Sequence, residues 1–349
     1  MCVRQSQYPV SVKSRPQGSI VQSEFKPAWW ARNRHVQTIW PRFFQRRLPL
    51  SLTWQRLELP DGDFVDVSWA PEPVNKKGIA VLFHGLEGSA RSHYAHDMLA
   101  VLAKNGWHAV LMHFRGCGNG NNRLARAYHS GDTGDAIFFL NWLQQRFPDV
   151  TKVGVGFSLG ANMLLKLLGE QPAQHWLKAA VAISPPFRLQ ECASAISRGF
   201  SNNYQKYLLK SMVNKVRDKM TRIDFRPWLK VGSRDVEQIG SFAEFDELIT
   251  APLHGFSDAK DYYLKCSASA FTTAIETPTL ILHAEDDPFM TANIVPDSSE
   301  LSGAVRLELS KKGGHVGFMQ GSPWRPRIWT HERVLQFVNR FTNLSGGAR

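Results

Sequence analysis

A serine stands between two glycines in the stretch GVGFSLGAN, residues 154–162. A serine hydroxyl is a weak nucleophile at neutral pH, so it needs a base to take its proton and a carboxylate to orient that base. The candidate base is His315, which follows a pair of glycines, and the candidate carboxylate is Asp287, with Asp286 as the alternative. These residue types indicate nucleophilic attack on a carbonyl carbon by Ser158.

The residues around Ser158 predict a strand, a sharp turn and a helix. Val153, Val155 and Phe157 alternate with small residues as in a short buried strand, and LGANMLLKLLGE carries leucines at helical spacing. A turn of this kind holds its central residue at strained backbone angles, and glycines on both sides leave room where the strand and the helix approach. The alternative is a serine that only caps the helix.

Asp287 and His315 each follow a predicted late strand. LILHA runs into an acidic cluster, and VRLELS runs into the glycine pair. The carboxyl ends of parallel strands meet at one edge of a sheet, and serine, carboxylate and histidine follow the order that this kind of relay uses. Asp287 is preferred to Asp286 because it stands three residues after Ala284, a spacing like that of a G-x-x-D turn. Taken singly, Asp287 could start a turn before Pro288, and His315 could be an ordinary loop residue.

Two backbone amides are candidates for an oxyanion hole, which binds the negative charge that develops on the carbonyl oxygen. One is the N–H of Leu159, at the start of the predicted helix. The other is the N–H of Leu86 in HGLEGS, because glycines let a backbone turn its amides toward a site. A plain loop in which Ser89 caps the next helix is compatible with this assignment.

The chain alternates strands and helices from residue 78 onward, which predicts parallel strands joined by crossover helices. The runs AVLF and AVLM suit strands that are covered on both faces. Before them, two alternating runs joined by Pro60–Gly62 predict an antiparallel hairpin. The predicted fold class is therefore α/β, with a mostly parallel central sheet and an antiparallel N-terminal hairpin.

Three segments are expected. Residues 51–186 and 273–345 form the α/β core, and residues 187–272, mainly helical and too long for a simple connection, form an inserted cap. Residues 1–50 form a basic aromatic arm with one acid and nine basic residues, namely Arg4, Lys13, Arg15, Lys26, Arg32, Arg34, Arg42, Arg46 and Arg47. The arm either packs its aromatic residues on the core, touches an anionic membrane, or stacks on nucleic-acid bases.

Composition excludes several classes of protein. The 349 residues are 43% hydrophobic, which is enough for a large buried core, and no apolar run reaches the length of a transmembrane helix. The N-terminal residues lack the apolar stretch of a signal peptide, so a cytoplasmic protein is expected. The four scattered cysteines favour reduced thiols, and neither a metal nor a cofactor is expected. The tandem glycines of RGCGNG resemble a phosphate-binding loop, but the motif is weak because neither a Lys-Ser/Thr pair nor a helix follows it.

Structural roles are preferred for two further stretches. HFRGCGNGNN follows a strand at the same sheet edge, so Arg115 and Cys117 could line a pocket, although Cys117 is not expected to be a nucleophile. In YHSGDTGD, Asp132 and Asp135 stand where they could cap the next helix.

Six motifs in order resemble the AB hydrolase 4 family of α/β-hydrolases, and closely its bacterial YheT-type branch: HGLEGS, FRGCG, YHSGDTGD, GFSLGAN, HAEDDP and GGHVGF. NRHVQTIWP is similar to that family's opening segment, so the resemblance covers roughly residues 25–345. It implies the α/β-hydrolase fold, a relay of Ser158, His315 and Asp287, and ester hydrolysis. Relatives act on acylglycerols, phospholipids or medium-chain fatty esters, and some transfer acyl groups to alcohols. An H-x-x-x-x-D acyltransferase signature is not met at His129, and an N-terminal membrane helix like that of many eukaryotic members is not expected.

The predicted function is hydrolysis of short to medium acyl esters by a serine carboxylesterase. Its substrate is expected to be a small, lipid-like ester. Peripheral contact with an anionic membrane is compatible with the basic arm, and no nucleic-acid partner is expected. The alternatives are an acyltransferase that uses the same three residues, and a noncatalytic protein that binds membrane or nucleic acid through the basic arm.

Overall fold

A computed structural model describes residues 16–342 of the chain; the first 15 residues, including Cys2, and residues 343–349 lie outside the described part. Its central element is a nine-stranded sheet in the order β1-β9-β8-β7-β6-β4-β5-β3-β2. The strands are β1 (Ser19–Gln22), β2 (Thr53–Glu58), β3 (Phe64–Trp69), β4 (Gly78–Phe83), β5 (Trp107–Met112), β6 (Lys152–Phe157), β7 (Ala179–Ile183), β8 (Thr279–Ala284) and β9 (Val305–Ser310).

The sheet is parallel except at one edge, where β3 pairs antiparallel with both β2 and β5. The prediction of a mostly parallel sheet with an antiparallel N-terminal hairpin is confirmed. At the opposite edge, β1 pairs in parallel with β9, from Ser19 beside Arg306 to Gln22 beside Leu309. Part of the predicted arm is therefore a strand of the central sheet, which its sequence did not indicate.

Helices cover both faces of the sheet because successive side chains of a strand point to opposite sides. In β4, Val81 and Phe83 pack with the cluster that includes α3 (Gly134–Arg146) and α4 (Leu159–Glu170). Leu82 packs with the cluster that includes α2 (His93–Lys104) and α11 (Trp329–Val338). Strands buried on both faces require the unbroken apolar runs seen in the sequence. The first helix along the chain is α1 (Arg34–Phe43).

The segment between β7 and β8 is helical, as predicted for the insertion. Most of its buried apolar residues form two clusters that are separate from the two that flank the sheet. The segment holds α5 (Leu189–Ile196), α6 (Asn202–Met220), α7 (Ser233–Gln238), α8 (Phe242–Phe245), a π-helical turn (Asp246–Thr250), α9 (Ala251–His254) and α10 (Ala259–Cys266).

A second, two-stranded sheet follows the predicted His315 loop and was not predicted. It pairs β10 (Met319–Ser322) with β11 (Arg325–Ile328). The backbone N–H of Ala28, in the N-terminal arm, donates to the carbonyl oxygen of Met319 at the start of β10 at 2.9 Å. Among residues 16–342, no helix is both long enough and apolar enough to cross a membrane.

The expectation that Asp132 and Asp135 cap α3 is wrong. The N-cap residue is Thr133, and no side chain caps this helix. Asp135 instead receives two hydrogen bonds of 2.7 Å from the buried guanidinium of Arg115, and Asp132 receives 2.8 and 3.0 Å bonds from Arg126. Charge-assisted, bidentate pairing is stronger than a bond to a backbone amide, so arginine takes both carboxylates.

Candidate active site

Ser158 occupies the sharp turn between β6 and α4. Its backbone angles are φ 51° and ψ −117°, outside the regions that ordinary residues prefer. Its own N–H donates to Ile183 O of β7 at 2.8 Å, so the turn is anchored to the neighbouring strand. The hydroxyl is therefore presented at the carboxyl edge of the parallel strands.

Glycines make this turn possible because β6, α4 and the end of β4 come into close contact. A Cβ atom on Gly160 would lie 2.4 Å from His84 O, and one on Gly156 would lie 2.6 Å from Gly160 O. Both distances are impossible for a real side chain. The two glycines of G-x-S-x-G are thus required by packing.

The structure brings Ser158, His315 and Asp287 together as one hydrogen-bonded chain. The Ser158 Oγ lies 2.9 Å from His315 Nε2, and His315 Nδ1 lies 2.7 Å from Asp287 Oδ2. Since Asp287 can only accept while ionised, Nδ1 carries the proton and Nε2 is left to accept from the serine. Asp287 is 1% exposed and His315 is 9% exposed, so water competes little for these bonds.

Neighbouring residues fix the orientation of the carboxylate and the imidazole. The backbone N–H of Phe289 donates to Asp287 Oδ1 at 2.8 Å, and the Phe289 ring stacks on the His315 ring with centroids 4.1 Å apart. The backbone N–H of His315 donates to Thr38 Oγ1 of α1 at 2.9 Å. The N-terminal arm therefore supports the histidine loop directly.

Asp286, the alternative carboxylate, has a different set of partners. Its Oδ1 accepts from the backbone N–H of Gly314 at 3.0 Å, and the ammonium of Lys312 lies 3.7 Å from its Oδ2. Burial raises the pKa of this carboxyl. Asp286 thus holds the loop that carries His315, while the carboxylate bonded to the imidazole is that of Asp287.

The two predicted oxyanion donors face the same cavity as Ser158. On either side of Leu86, the N–H of Gly85 donates to Tyr94 Oη at 2.9 Å and the N–H of Glu87 donates to Tyr128 Oη at 2.8 Å. Within residues 16–342, the amides of Leu86 and Leu159 have no acceptor. Both are available to an oxygen bound beside Ser158. The helix after this loop is not capped by Ser89, because α2 has Ser92 at its N-cap.

A cavity of about 170 Å³ opens beside Ser158. Slightly more than half of the residues in its wall belong to the helical insertion, and most of these have apolar side chains, among them Leu189, Ile196, Met212, Val216, Phe245 and Ile249. Such a cavity accommodates an apolar chain whose ester carbonyl lies at the serine.

Two histidines of the cavity wall, together with an aspartate beside them, have the residue types of a metal site. One ligand atom from each of His129, Asp132 and His254 lies within 4.8 Å of the others. Burial lowers the pKa of both histidines to about 3, which leaves the rings neutral, as metal ligands are. However, both oxygens of Asp132 bind Arg126, and His129 Nδ1 accepts from the N–H of Gly131 at 3.2 Å. These bonds engage both oxygens of Asp132 and one ring nitrogen of His129, so we assign no metal to the group.

Arg115 and Cys117, considered as pocket residues, differ in their surroundings. The Arg115 guanidinium binds Asp61, Asp63 and Asp135, which ties the β2–β3 turn to α3. Burial raises the pKa of the Cys117 thiol to about 11. A thiol with such a pKa is a poor nucleophile at neutral pH.

A family model described as the alpha/beta hydrolase fold matches residues 81–322. The chain belongs to this family. The matched range runs from β4 to the end of β10 and includes Ser158, Asp287 and His315. The predicted resemblance to the YheT-type AB hydrolases is confirmed, because this α/β hydrolase is 42% identical over 91% of its length to "Putative esterase YheT" of Escherichia coli (strain K12), of which it covers 94%.

More distant relatives of this α/β hydrolase include enzymes named for lipid substrates. It is 29% identical to the "Monoacylglycerol lipase" of Saccharomyces cerevisiae, over 76% of this chain and 60% of that protein. It is 24% identical to the human "Phospholipase ABHD3", over 91% and 79% of the two chains. Among solved structures, the esterase Pf2001 of Pyrococcus furiosus shares the fold with a TM-score of 0.53 and 16% identity, over 83% of this chain and 93% of that one.

Sequence reasoning missed two residues that orient the histidine of this site. Thr38 and Phe289 both orient His315, yet no role was predicted for either. The signal for Thr38 lay in NRHVQTIWP, which was noted as a motif without a function. No pattern pointed to the stacking of Phe289.

Proposed function

We propose that the protein is a serine hydrolase of carboxylic esters in which Ser158 is the nucleophile. His315 takes the hydroxyl proton, and Asp287 orients the ring and stabilises it when it is charged. The proposal is supported above all by the continuous hydrogen bonds from Ser158 through His315 to Asp287. The names of the esterase and lipase relatives agree with it.

The reaction follows from these contacts. Ser158 Oγ bonds to the ester carbonyl carbon, and the amides of Leu86 and Leu159 bind the resulting oxyanion. The C–O bond to the alcohol then breaks, and His315 returns its proton to the departing alcohol oxygen. Water, deprotonated by the same histidine, attacks the acyl-enzyme and releases the acid together with free serine.

The substrate we propose is an ester with an apolar acyl chain of short to medium length. The support is the apolar wall contributed by α5, α6 and the turn that contains Ile249. We also propose that residues 187–272 act as the cap that supplies this wall. A strongly polar acyl group would lose hydration against this apolar part of the wall.

Labelling with a fluorophosphonate probe tests the nucleophile. The wild-type protein should be labelled at Ser158, and Ser158→Ala should lose both the labelling and p-nitrophenyl ester turnover, by a factor of at least about 10³ in kcat. The control is Ser257→Ala, since Ser257 is an exposed serine of the helical insertion. It should be labelled and should turn over substrate like the wild type. Labelling that survives in Ser158→Ala would refute the assignment.

A panel of p-nitrophenyl esters graded by acyl length tests the substrate class. The value of kcat/KM should rise from acetate toward medium chains, because each buried CH₂ contributes about 0.8 kcal/mol. Product analysis with and without an added alcohol separates hydrolysis from acyl transfer, which would use the same acyl-enzyme. A flat or falling profile would contradict an apolar acyl site.

A further inference from the structure

Three segments of the chain carry exposed basic residues and not a single acidic one. They are residues 26–47, 198–210 and 319–328. All of their basic side chains are exposed: Lys26, Arg32, Arg34, Arg42, Arg46, Arg47, Arg198, Lys206, Lys210, Arg325 and Arg327. These eleven positive charges nearly equal the formal net charge of the whole chain, +12.

The same segments hold large apolar side chains in contact with water. Six aromatic residues are between 54% and 82% exposed, namely Trp29, Phe43, Phe44, Phe200, Tyr207 and Trp324. Single exposed apolar residues are normal, but a cluster of aromatic rings among cations indicates a binding surface. We call the three segments together the basic aromatic surface.

Contacts join the three segments into one surface. The Trp30 indole N–H donates to Gly321 O at 3.2 Å, which connects the arm to the β10–β11 hairpin. On the other side, the Arg42 guanidinium lies 4.6 Å from the centre of the Tyr207 ring, which connects α1 to α6. His35 Nδ1 also lies 3.0 Å from Tyr204 Oη.

The basic aromatic surface borders the candidate active site. Thr38, within the first segment, binds the backbone of His315. The ring of Tyr204, in the second segment, lies 4.9 Å from the ring of Phe289, which stacks on His315. Whatever binds this surface is therefore one or two side chains away from the histidine.

We propose that the basic aromatic surface docks on an anionic lipid bilayer. Exposed Lys and Arg side chains are attracted by anionic headgroups, and Trp and Phe rings insert at the boundary between headgroups and acyl chains. Nucleic acid would satisfy the charges, but it would not use an apolar acyl cavity that adjoins the same surface. Docking here brings the candidate active site to the lipids; this consequence rests on the proposed function, whereas docking itself does not.

Co-sedimentation with vesicles tests the proposal, using full-length protein with Ser158→Ala so that turnover does not alter the lipids. The protein should partition onto phosphatidylcholine vesicles that contain phosphatidylglycerol, should be released by salt, and should bind phosphatidylcholine alone weakly. Phe43→Ser/Phe44→Ser and Arg32→Glu/Arg46→Glu should each lower this partitioning at least about tenfold.

Matched controls carry the same chemical changes outside the surface. Leu264→Ser removes an exposed apolar side chain of α10, and Lys104→Glu/Lys230→Glu reverses two exposed charges elsewhere. Both should partition like the parent. Equal partitioning of the surface variants and the controls, or no retention on anionic vesicles, would overturn the proposal. Binding of RNA in place of vesicles, unchanged by Phe43→Ser/Phe44→Ser, would assign the surface to nucleic acid.

The two proposals can fail separately. In the background with Ser158 intact, Phe43→Ser/Phe44→Ser should turn over soluble p-nitrophenyl esters like the wild type, which also shows that it folds. Vesicle binding without any ester turnover by the wild type would leave docking in place and contradict the proposed hydrolysis.

Discussion

Two adjacent carboxylates have separate roles at the candidate active site. Asp287 binds the His315 ring, whereas Asp286 binds the backbone that carries this histidine. The difference of one residue matters because the turn after β8 directs only one of the two carboxylates at the imidazole. Replacing one carboxylate at a time by an amide tests the role of each residue separately.

Asp287→Asn should lower kcat about 10³- to 10⁴-fold, because an amide cannot hold the imidazole in the tautomer that leaves Nε2 free to accept. Asp286→Asn should cost less than about tenfold, because its amide oxygen can still accept from the N–H of Gly314. Steady-state kinetics on a p-nitrophenyl ester, with circular dichroism to verify folding, measure both. Similar losses in the two variants would mean that the relay does not run through Asp287.

At the scale of elements, one side chain connects the oxyanion loop to the helical insertion. Glu87 has φ 54°, and its side chain is 6% exposed. Its Oε1 accepts from Tyr128 Oη at 2.9 Å, and its Oε2 accepts from Ser211 Oγ at 2.5 Å and lies 2.8 Å from Lys215 Nζ. Helix α6 therefore helps to hold the loop that presents the amide of Leu86.

Glu87→Gln should lower kcat about 10- to 100-fold with little change in KM, because the amide of Leu86 acts on the transition state more than on bound substrate. Ser211→Ala should show the same pattern to a smaller extent. The control is Lys265→Met, which breaks an exposed ion pair with Asp261 on α10 and should leave both constants unchanged. A rise in KM at constant kcat would contradict a role in positioning the oxyanion donor.

The core strands could be predicted from the sequence because strands buried on both faces need continuous apolar runs, as β4 and β5 have. The edge elements could not. Strand β1 has the short sequence SIVQ with three exposed residues, and it forms only by pairing with β9, which lies far along the chain. The β10–β11 hairpin contains Pro326 and exposed arginines, which favour no strand on their own.

The candidate triad could be predicted for a similar reason. Its members follow strands in a fixed order, so that chain order alone reports on position in space. The residues that hold the triad have no such order, since Thr38 and Phe289 reach His315 from the N-terminal arm and from the turn after β8. The failed prediction of capping by Asp132 and Asp135 has a related cause, because their arginine partners are apparent only in the folded chain.

At the scale of the whole molecule, burial keeps many histidines neutral. Among residues 16–342, burial lowers the pKa to about 3 for four of them, His84, His93, His129 and His254. It lowers the pKa to about 4 for three more, His113, His283 and His331. In the unfolded chain each would take up a proton near pH 6.5. Folding therefore excludes several protons at mildly acidic pH.

This predicts that the free energy of unfolding falls steeply as the pH drops from about 6.5 to about 4. In that range the unfolded chain binds more protons than the folded one, so stability rises with pH, by about 1.4 kcal/mol per pH unit for each excluded proton. Asp246, whose pKa burial raises to about 6, acts in the opposite direction, as do Asp135 and Asp286, whose pKa values burial also raises, but together they offset at most three protons. Urea titrations at a series of pH values measure the slope. His331→Gln should reduce the slope by about one proton, and His175→Gln, at an exposed position, should not. A slope close to zero in the wild type would show that these rings are not held neutral by the fold.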